Sequence, residues 1–452
     1  MTPQSVLNGL LGVAVLAGIA FAFSNNRKQI NWRLAGAGFG LQILFAIVML
    51  RGDQLAAYFS PLGWPKLLFE KLSEGFVRVV GFAGEGAKFV FGPLAISPGN
   101  EGSLGFLFAF QVLPTIIFFA SLMSVLYYLG VMQRVVQAMA WVMARVMGTS
   151  GAESLSNCAN IFVGQTEAPL MIRPFLAGLT QSELLTIMVG GMCTLAGGVL
   201  AAYVQMLGFS YAQAHGLETA AGQARFAAQL MGASIMAAPA GLALSKILFP
   251  ETGNPQTRGT VKIKIEKNAS NLIESVAAGA ADGLHLALNV GAMLLAFFSM
   301  IYLVNYLLGL LGAMGGLNEW LKASYGAALS LELLLGLLLR FLAVAMGVPW
   351  RESLPVGSLI GAKIVTNEFV AYLNMSSMIR ARTLQSDKAI MMATFSLCGF
   401  ANFSSIGIQI GGISPLAPER RKDLAALGLR AVLGGALANM MTATIAGMFF
   451  SS

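Results

Sequence analysis

The stretch NCANIFVGQTEAPL, Asn157 to Leu170, sets amide, hydroxyl and carboxyl side chains between strongly apolar segments. The 452-residue chain is 56% hydrophobic and 11% charged, whereas a soluble domain averages about 25% charged. Runs of roughly 20 apolar residues, enough for a helix to cross a bilayer, recur on both sides of the stretch. The sequence therefore predicts an all-α polytopic membrane protein in which a carboxylate lies at membrane depth.

The net charge of +8 comes from basic residues gathered in short loops between apolar spans. These groups are Arg27, Lys28 and Arg33; Arg258, Lys262, Lys264 and Lys267; and Arg420, Arg421 and Lys422. Such clustering is the usual bias of cytoplasmic loops, so these loops are predicted to lie inside, and nucleic acid is not an expected partner. Arg380 and Arg382 are the exception, because this scheme places them outside.

Eight transmembrane spans are predicted, in four regions. Residues 1–104 hold spans 1 and 2 and a periplasmic segment, and the first span lacks a basic leader, which favours a retained helix over a signal peptide. Residues 105–249 hold span 3, an interfacial helix, a first polar hairpin and spans 4 and 5. A cytoplasmic linker is predicted at 250–275. Residues 276–452 hold span 6, a surface helix, a second polar hairpin and spans 7 and 8.

The second half of the chain repeats the first. The interfacial helix at 131–148 resembles the surface helix at 331–347. The polar stretch GTSGAESLSNCANIFVGQTEAPL then pairs with GVPWRESLPVGSLIGAKIVTNEFVAYL, which matches Glu167 with Glu368. Span 3 is predicted to run inward and span 6 outward, so the two copies are inverted. Inverted repeats are an architecture of secondary transporters that bind substrate near the bilayer midplane.

Two polar segments, Asn157–Leu179 and Leu354–Met378, are too short to cross the membrane and are predicted as re-entrant hairpins. Two prolines interrupt helical hydrogen bonding in the first. Non-helical backbone at membrane depth survives only where protein or a water-filled cavity covers it. A carboxylate there is costly and indicates function, which makes Glu167 and Glu368 candidate site residues.

Polar interruptions also break two later spans, at 191–198 and 398–412. Unwound helix offers free carbonyls to a cation and free N–H groups to a polar substrate, so the two hairpin tips and the two breaks are predicted to meet at one site. Structural interpretations remain for single residues: ion pairing for Glu167 or Glu368, interhelical bonding for Asn402 and Ser405, packing for Phe400, back-bonding for Thr194 and capping for Asn160.

The residue types in these elements suit a neutral solute with a flat ring and hydroxyl groups. Carboxylates accept hydroxyls, amides present donor and acceptor together, and Phe400 offers a ring. An anionic substrate is disfavoured, because only Lys363 lies near a hairpin tip. An intramembrane enzyme, a channel and a carrier of a free base or sugar are the alternatives, although neither histidine accompanies the glutamates and the three scattered cysteines form no recognisable framework.

Four motifs, ANIFVGQTEAPL, LALNVGAML, NEFVAYL and CGFANFSSIGI, resemble the concentrative nucleoside transporter family, with a match from about residue 105 to the C-terminus. The two spans before the repeat resemble the bacterial, eight-span branch. The resemblance implies a secondary active transporter, not an enzyme, that imports nucleosides across the bacterial cytoplasmic (inner) membrane. It also implies a homotrimer whose mobile transport domains move against a fixed scaffold like elevators, with no organic cofactor.

Site residues follow from the same resemblance. The implied substrate residues are Gln165, Thr166 and Glu167 on the base side, Glu368, Asn402 and Ser405 on the ribose side, and Phe400 near the base. The implied cation ligands are the Asn160 side chain, the Val163 carbonyl, the Thr194 hydroxyl and the Leu195 carbonyl. Oxygen ligands suit a hard cation, so sodium is the expected coupling ion and a proton on Glu167 or Glu368 is the alternative. A uridine-like nucleoside is the expected substrate.

Overall fold

A computed structural model describes residues 3–96, 101–259 and 269–450. Within these ranges the chain is helical, and its only β-type pairing is one isolated bridge between Ser150 and Arg258. In chain order the α-helices are α1 (Pro3–Ala22), α2 (Trp32–Tyr58), α3 (Trp64–Phe91), α4 (Phe108–Gln111), α5 (Leu113–Tyr128), α6 (Val131–Met147), α7 (Gly151–Ala159), α8 (Gln181–Cys193), α9 (Gly197–His215), α10 (Thr219–Leu248), α11 (Leu272–Ala313), α12 (Leu317–Tyr325), α13 (Leu331–Met346), α14 (Trp350–Val365), α15 (Glu368–Arg380), α16 (Asp387–Leu397), α17 (Phe403–Ile413) and α18 (Arg421–Phe449).

In the described part of the chain, seven helical segments are long and apolar enough to cross a membrane. They are Ser5–Ala22, Trp32–Tyr58, Phe108–Tyr128, Gln181–His215, Thr219–Leu248, Leu272–Tyr325 and Pro418–Phe449. The predicted span 7 is divided into two short helices, α16 and α17. The surface helix α13 meets α14 at 118°, a bend that matches a surface helix leading into a re-entrant arm. The all-α polytopic class predicted from the sequence is confirmed.

Hairpin 1 consists of α7, a turn at 160–167 and a 3-10 segment at Ala168–Gly178. Its first arm begins at Gly151, before the predicted start, because Ser150 caps the helix in a reciprocal capping box with Glu153. The second arm is 3-10 rather than α-helical and is kinked at Ile172, two residues before Pro174. Proline lacks an N–H donor, which explains why regular α-helix does not form there.

Hairpin 2 is a pair of α-helices, α14 and α15, with a tip at Thr366 and Asn367. The Asn367 side chain accepts a hydrogen bond of 2.9 Å from the Val370 N–H and so caps α15. Glu368 is consequently the first residue of α15. The hairpin therefore presents this carboxylate at its tip, at the N-terminal end of a helix, where a negative charge is favoured.

Helices α5 and α11 pack along each other as a closely spaced pair. Gly279 and Gly283 face α5 so closely that an added Cβ would lie 2.7 Å from the Cα of Ser121 and of Ile117, respectively. The Ser121 hydroxyl also donates to the Val276 carbonyl at 2.9 Å. Small residues of this kind let membrane helices approach and interlock. Most of the α11 surface is left uncovered by the rest of the described chain.

The base of hairpin 1 is tied to α10 and to the segment after it. The Lys246 ammonium lies 2.7 Å from Glu153 and 3.3 Å from Glu251, and the first two side chains are almost fully buried. The Gly151 N–H donates to the Thr257 carbonyl at 2.9 Å. This segment begins the predicted linker 250–275, of which residues 260–268, including Lys262, Lys264 and Lys267, lie outside the described residues. Hairpin 1 is thus anchored at its open end.

Candidate substrate and cation site

One cavity of about 990 Å³ joins the elements that the sequence predicted to converge. Both hairpin tips, the starts of α9 and α17, and the inner faces of α5 and α11 line it. Glu167 and Glu368 are both among its lining residues. The cavity extends to Tyr127 at the end of α5 and to Ser275 near the start of α11, the end of the bundle where the central linker lies.

Glu368 is buried and is held by side chains from two other elements. The Tyr203 hydroxyl, on α9, donates to Oε1 at 3.1 Å, and the Asn402 amide donates to Oε2 at 3.1 Å. Asn402 also caps α17, because its Oδ1 accepts the Ser405 N–H at 2.9 Å. The carboxylate and amide are therefore fixed in one geometry, with capacity left to accept hydroxyl groups from the cavity.

Gln165 connects hairpin 1 with α17. Its amide donates to the Ser405 hydroxyl at 3.2 Å, and its carbonyl accepts from Gln409 at 3.0 Å. Gln409 also donates to the Met188 carbonyl on α8 at 2.9 Å. These bonds bring an amide of hairpin 1 and a hydroxyl of the second broken helix to the same wall of the cavity.

The remaining predicted substrate residues also line the cavity, with different degrees of exposure. Thr166 packs against Gly412 of α17. Glu167 is exposed to the cavity, and Phe400 is partly buried. The structure thus brings all seven predicted substrate residues to one cavity, from hairpin 1, hairpin 2 and the break between α16 and α17.

The predicted cation ligands lie where hairpin 1 meets the break between α8 and α9. The Gly197 N–H donates to the Phe162 carbonyl at 3.0 Å and so joins the hairpin tip to the start of α9. Asn160 is 1% exposed, yet neither atom of its amide has a hydrogen-bond partner. A buried polar group is ordinarily paired, so this orphaned amide is suited to a ligand. The Thr194 hydroxyl donates to the Gly190 carbonyl at 2.9 Å, which leaves its oxygen able to accept.

Val163 and Leu195 lie outside the helices, in the turn of hairpin 1 and in the break after α8. Across the described ranges no backbone N–H donates to either carbonyl. No cluster of three His, Cys, Asp or Glu side chains that could hold a metal ion occurs in the described part either. The candidate ligand atoms of the four residues are amide, hydroxyl and carbonyl oxygens, a set that fits a hard monovalent cation.

Several residues of the site were not predicted. Tyr203 and Asn439 lie within apolar helices and carry no local sequence signal. Lys363 is different, because a lysine inside the apolar run GSLIGAKIV is itself a signal of a buried partner. Asp282, which was not among the predicted site residues, lines the cavity from α11. The three cysteines are free and buried: Cys158, Cys193 and Cys398.

Sequence comparisons cover nearly the whole chain. Models described as Na⁺ dependent nucleoside transporter N-terminus, nucleoside recognition, and Na⁺ dependent nucleoside transporter C-terminus match residues 11–94, 109–210 and 229–447. The chain is 40% identical to the nucleoside permease NupC of Helicobacter pylori, over 98% of each chain. It is 38% identical to sodium/nucleoside cotransporter 1 of Rattus norvegicus, over 97% of this chain and 63% of that longer protein.

Comparison with solved structures also finds similar proteins along nearly the whole chain. The solved structure of CNTnw in an inward-facing substrate-bound state is 40% identical and matches with a TM-score of 0.83, covering 99% of this chain and 98% of that one. A variant of the same protein in an outward-facing state matches with a TM-score of 0.82, covering 98% and 97%. The chain therefore belongs to the sodium-dependent, or concentrative, nucleoside transporter family, a family of membrane transporters and not of enzymes.

Proposed function

We propose that this chain is a cation-coupled secondary active transporter that imports nucleosides across the bacterial cytoplasmic membrane, with sodium as the coupling ion. The observation that carries the proposal is the cavity in which the amide of Gln165 and the carboxylate of Glu368 face a common space, with the orphaned amide of Asn160 in the same turn of hairpin 1 as Gln165. The relatives, which include a nucleoside permease and sodium/nucleoside cotransporters, support both substrate and ion.

The proposed nucleoside lies with its base against hairpin 1 and its ribose against hairpin 2. Gln165 and Thr166 offer donors and acceptors to a base edge, with Glu167 nearby, and Phe400 offers a ring to its face. Glu368, Asn402 and Ser405 offer acceptors and donors to the ribose hydroxyls. A uridine-like nucleoside is small and neutral, which suits hairpin tips where the one nearby ammonium, that of Lys363, is fully bonded to protein oxygens. Arg173, which also lines the cavity, lies on the return arm of hairpin 1 and not at its tip.

The proposed sodium site comprises Asn160, Val163, Thr194 and Leu195. Its first two members lie five and two residues before Gln165, in the same turn of hairpin 1. Sodium bound there would order the turn that presents Gln165 and Thr166 to the base. By linkage, the nucleoside must then tighten sodium binding by the same factor. This reciprocity is the physical basis for coupling the uphill movement of one solute to the downhill movement of the other.

The proposed transport step is an elevator movement. Helices α5 and α11 pack closely together and line one side of the cavity, whereas the proposed substrate and cation ligands come from the two hairpins and the two broken helices. The body that carries the ligands would move along this helix pair and expose the cavity alternately to each side. The uncovered surface of α11 is available for contacts between copies, in keeping with the expected homotrimer.

Counterflow of a labelled nucleoside panel in proteoliposomes tests the function. We expect exchange of uridine-like nucleosides in sodium and strong loss of exchange when choline replaces sodium. Exchange that persists in choline and follows the pH gradient would identify a proton-coupled symporter instead. Absence of counterflow with any nucleoside, while another neutral solute exchanges or simply equilibrates, would identify a different carrier or a channel.

A further inference from the structure

Lys363 is a fully buried ammonium that the proposed transport function does not use. It lies on α14 in hairpin 2, and its side chain is 1% exposed. Its Nζ donates to the Ser396 carbonyl at 3.0 Å, the Cys398 carbonyl at 2.8 Å and the Asn439 Oδ1 at 2.6 Å. An ammonium has three donors, so these three oxygens satisfy it completely.

Two of the three oxygens around Lys363, the Ser396 and Cys398 carbonyls, belong to the second broken helix. Helix α16 ends at Leu397, and the carbonyls of its last turn have no helical partner. A positive charge at the C-terminal end of a helix is favoured, because the helix dipole places partial negative charge there. The Lys363 ammonium thus stabilises the unpaired carbonyls of this break in the way that a bound cation stabilises the carbonyls of other unwound helices.

The two breaks touch each other beside Lys363. Gly399 has a φ of +88°, and an added Cβ would lie 2.5 Å from the Cys193 carbonyl carbon. Asn439 on α18 accepts from Lys363 and donates to the Cys193 carbonyl at 2.6 Å. Cys193 is the last residue of α8 and directly precedes Thr194. A short chain of hydrogen bonds therefore links hairpin 2 with the break that carries two proposed cation ligands.

The contact between hairpin 2 and its broken helix can be compared with the corresponding contact in repeat 1. Repeat 1 (105–249) has the proposed cation site between its hairpin and its broken helix, and repeat 2 (276–452) has Lys363 between the corresponding elements. Counting back seven residues from the paired glutamates matches Asn160 with Gly361, and counting back five matches Phe162 with Lys363. Repeat 2 therefore has glycine where repeat 1 has the amide ligand, and it has an ammonium two residues later, where repeat 1 has Phe162.

We propose that the Lys363 ammonium is a built-in cation that fills, in repeat 2, the place that the coupling cation takes in repeat 1. As a positioning residue it holds the two broken helices together, so that Glu368 and Asn402 face the substrate and Thr194 faces the cation. This inference rests on the cation site proposed above. It follows that one cation accompanies each nucleoside, because the second place is already occupied.

The first test is the coupling ratio of the unaltered protein in proteoliposomes with the membrane potential clamped at zero. Opposing gradients of sodium and labelled uridine are varied until net uridine flux stops. We expect the uridine concentration ratio at that point to equal the sodium ratio. A uridine ratio equal to the square of the sodium ratio would overturn the proposal, because two sodium ions would then move with each nucleoside.

The second test is Lys363→Met, with Lys322→Met as the matched control, because Lys322 is exposed on α12. Uridine Kd is measured in detergent with and without sodium, together with thermal unfolding. We expect Lys363→Met to raise the uridine Kd in saturating sodium by about tenfold or more, as loss of a charge-assisted contact does. We also expect sodium to tighten uridine binding less than in the control.

A Lys363→Met protein that unfolds at a lower temperature but keeps the uridine Kd and the sodium effect would overturn the proposal, because packing alone would explain Lys363. If this variant does not fold, Asn439→Leu tests the proposal in its place, since this substitution keeps the hydrogen bonds from Lys363 to Ser396 and Cys398 intact. We expect it to weaken the sodium effect, and an unchanged effect would count against the link. Failure of the proposed function is separate: sodium would then have no effect on uridine binding by the unaltered protein.

Discussion

Glu368 is held by two donors, Tyr203 and Asn402, one on each carboxylate oxygen. A carboxylate fixed in this way needs little reorganisation when a ribose arrives, because its orientation is already set. The same two bonds offset part of the cost of burying the charge. At the scale of single residues, the proposed substrate recognition therefore depends on side chains that are bonded to each other across different elements.

Glu368→Gln tests the ribose assignment. The substitution keeps the size of the side chain but removes the charge that strengthens hydrogen bonds to hydroxyl groups. We expect the uridine Kd to rise by about tenfold or more, and the Kd of an analogue without the 2′ and 3′ hydroxyls to change much less. Equilibrium binding of both ligands in saturating sodium measures this. Equal losses for the two ligands would refute the assignment.

Asn160→Ala tests the cation assignment. The amide has no protein partner, so its removal should cost little stability but weaken sodium binding. We expect the sodium concentration for half-maximal uridine binding to rise by about tenfold. Thr194→Ser is the matched control, because it keeps the hydroxyl and should leave that concentration nearly unchanged. An Asn160→Ala protein with unaltered sodium dependence would place the cation elsewhere.

The sequence predicted those site residues that stand out locally. Glu167, Glu368 and Asn402 are polar side chains in apolar surroundings, and the cost of burying them indicates a purpose. Tyr203 and Asn439 could not be predicted in the same way, because each lies within an apolar helix and is matched to a partner far along the chain. Such pairings depend on tertiary packing, which no local pattern encodes.

At the scale of elements, the two hairpins differ more than the repeat suggests. Both begin with an α-helix, yet the return arm of hairpin 1 is a kinked 3-10 segment and that of hairpin 2 is the regular helix α15. The two prolines of hairpin 1 predicted that its helix is interrupted, but they did not predict a 3-10 segment. The anchoring of hairpin 1 by Lys246 could not be predicted from the sequence either, because the ion-pair partners of Lys246 come from separate segments.

The α5–α11 contact provides one prediction about elements. Gly283→Ala places a methyl group 2.7 Å from the Cα of Ile117, and such overpacking typically costs about 1–3 kcal/mol. Gly309→Ala is the matched control, since no atom lies within 4 Å of its new Cβ on the same helix. We expect thermal unfolding in detergent at a lower temperature for Gly283→Ala only. Equal behaviour of the two variants would show that the helices are not closely packed.

The ion pair that anchors hairpin 1 to α10 provides a second prediction about elements. Lys246→Met leaves Glu153 as an unpaired buried charge, which typically costs about 3–5 kcal/mol. Adding Glu153→Gln should recover part of the loss, because a neutral amide can still accept the Ser150 N–H that caps α7. Thermal unfolding of the single and double variants measures this. A double variant less stable than Lys246→Met alone would contradict the ion-pair interpretation.

At the scale of the whole molecule, the cavity extends toward the end of the bundle that bears the central linker. The basic residues of that linker predict a cytoplasmic position, so under the predicted orientation the cavity extends toward the cytoplasmic end of the bundle. The predicted inverted repeat would account for a site at the middle of the fold, and in the proposed elevator movement the same body would expose it to either side by moving against α5 and α11.

The central claim is that a sodium gradient drives nucleoside uptake through this site. The most direct measurement is uptake of labelled uridine into proteoliposomes with an inward sodium gradient at constant pH. We expect the internal uridine concentration to rise above the external one and to fall back when a sodium ionophore collapses the gradient. Uptake that only reaches equality, whether sodium or choline is outside, would contradict the account.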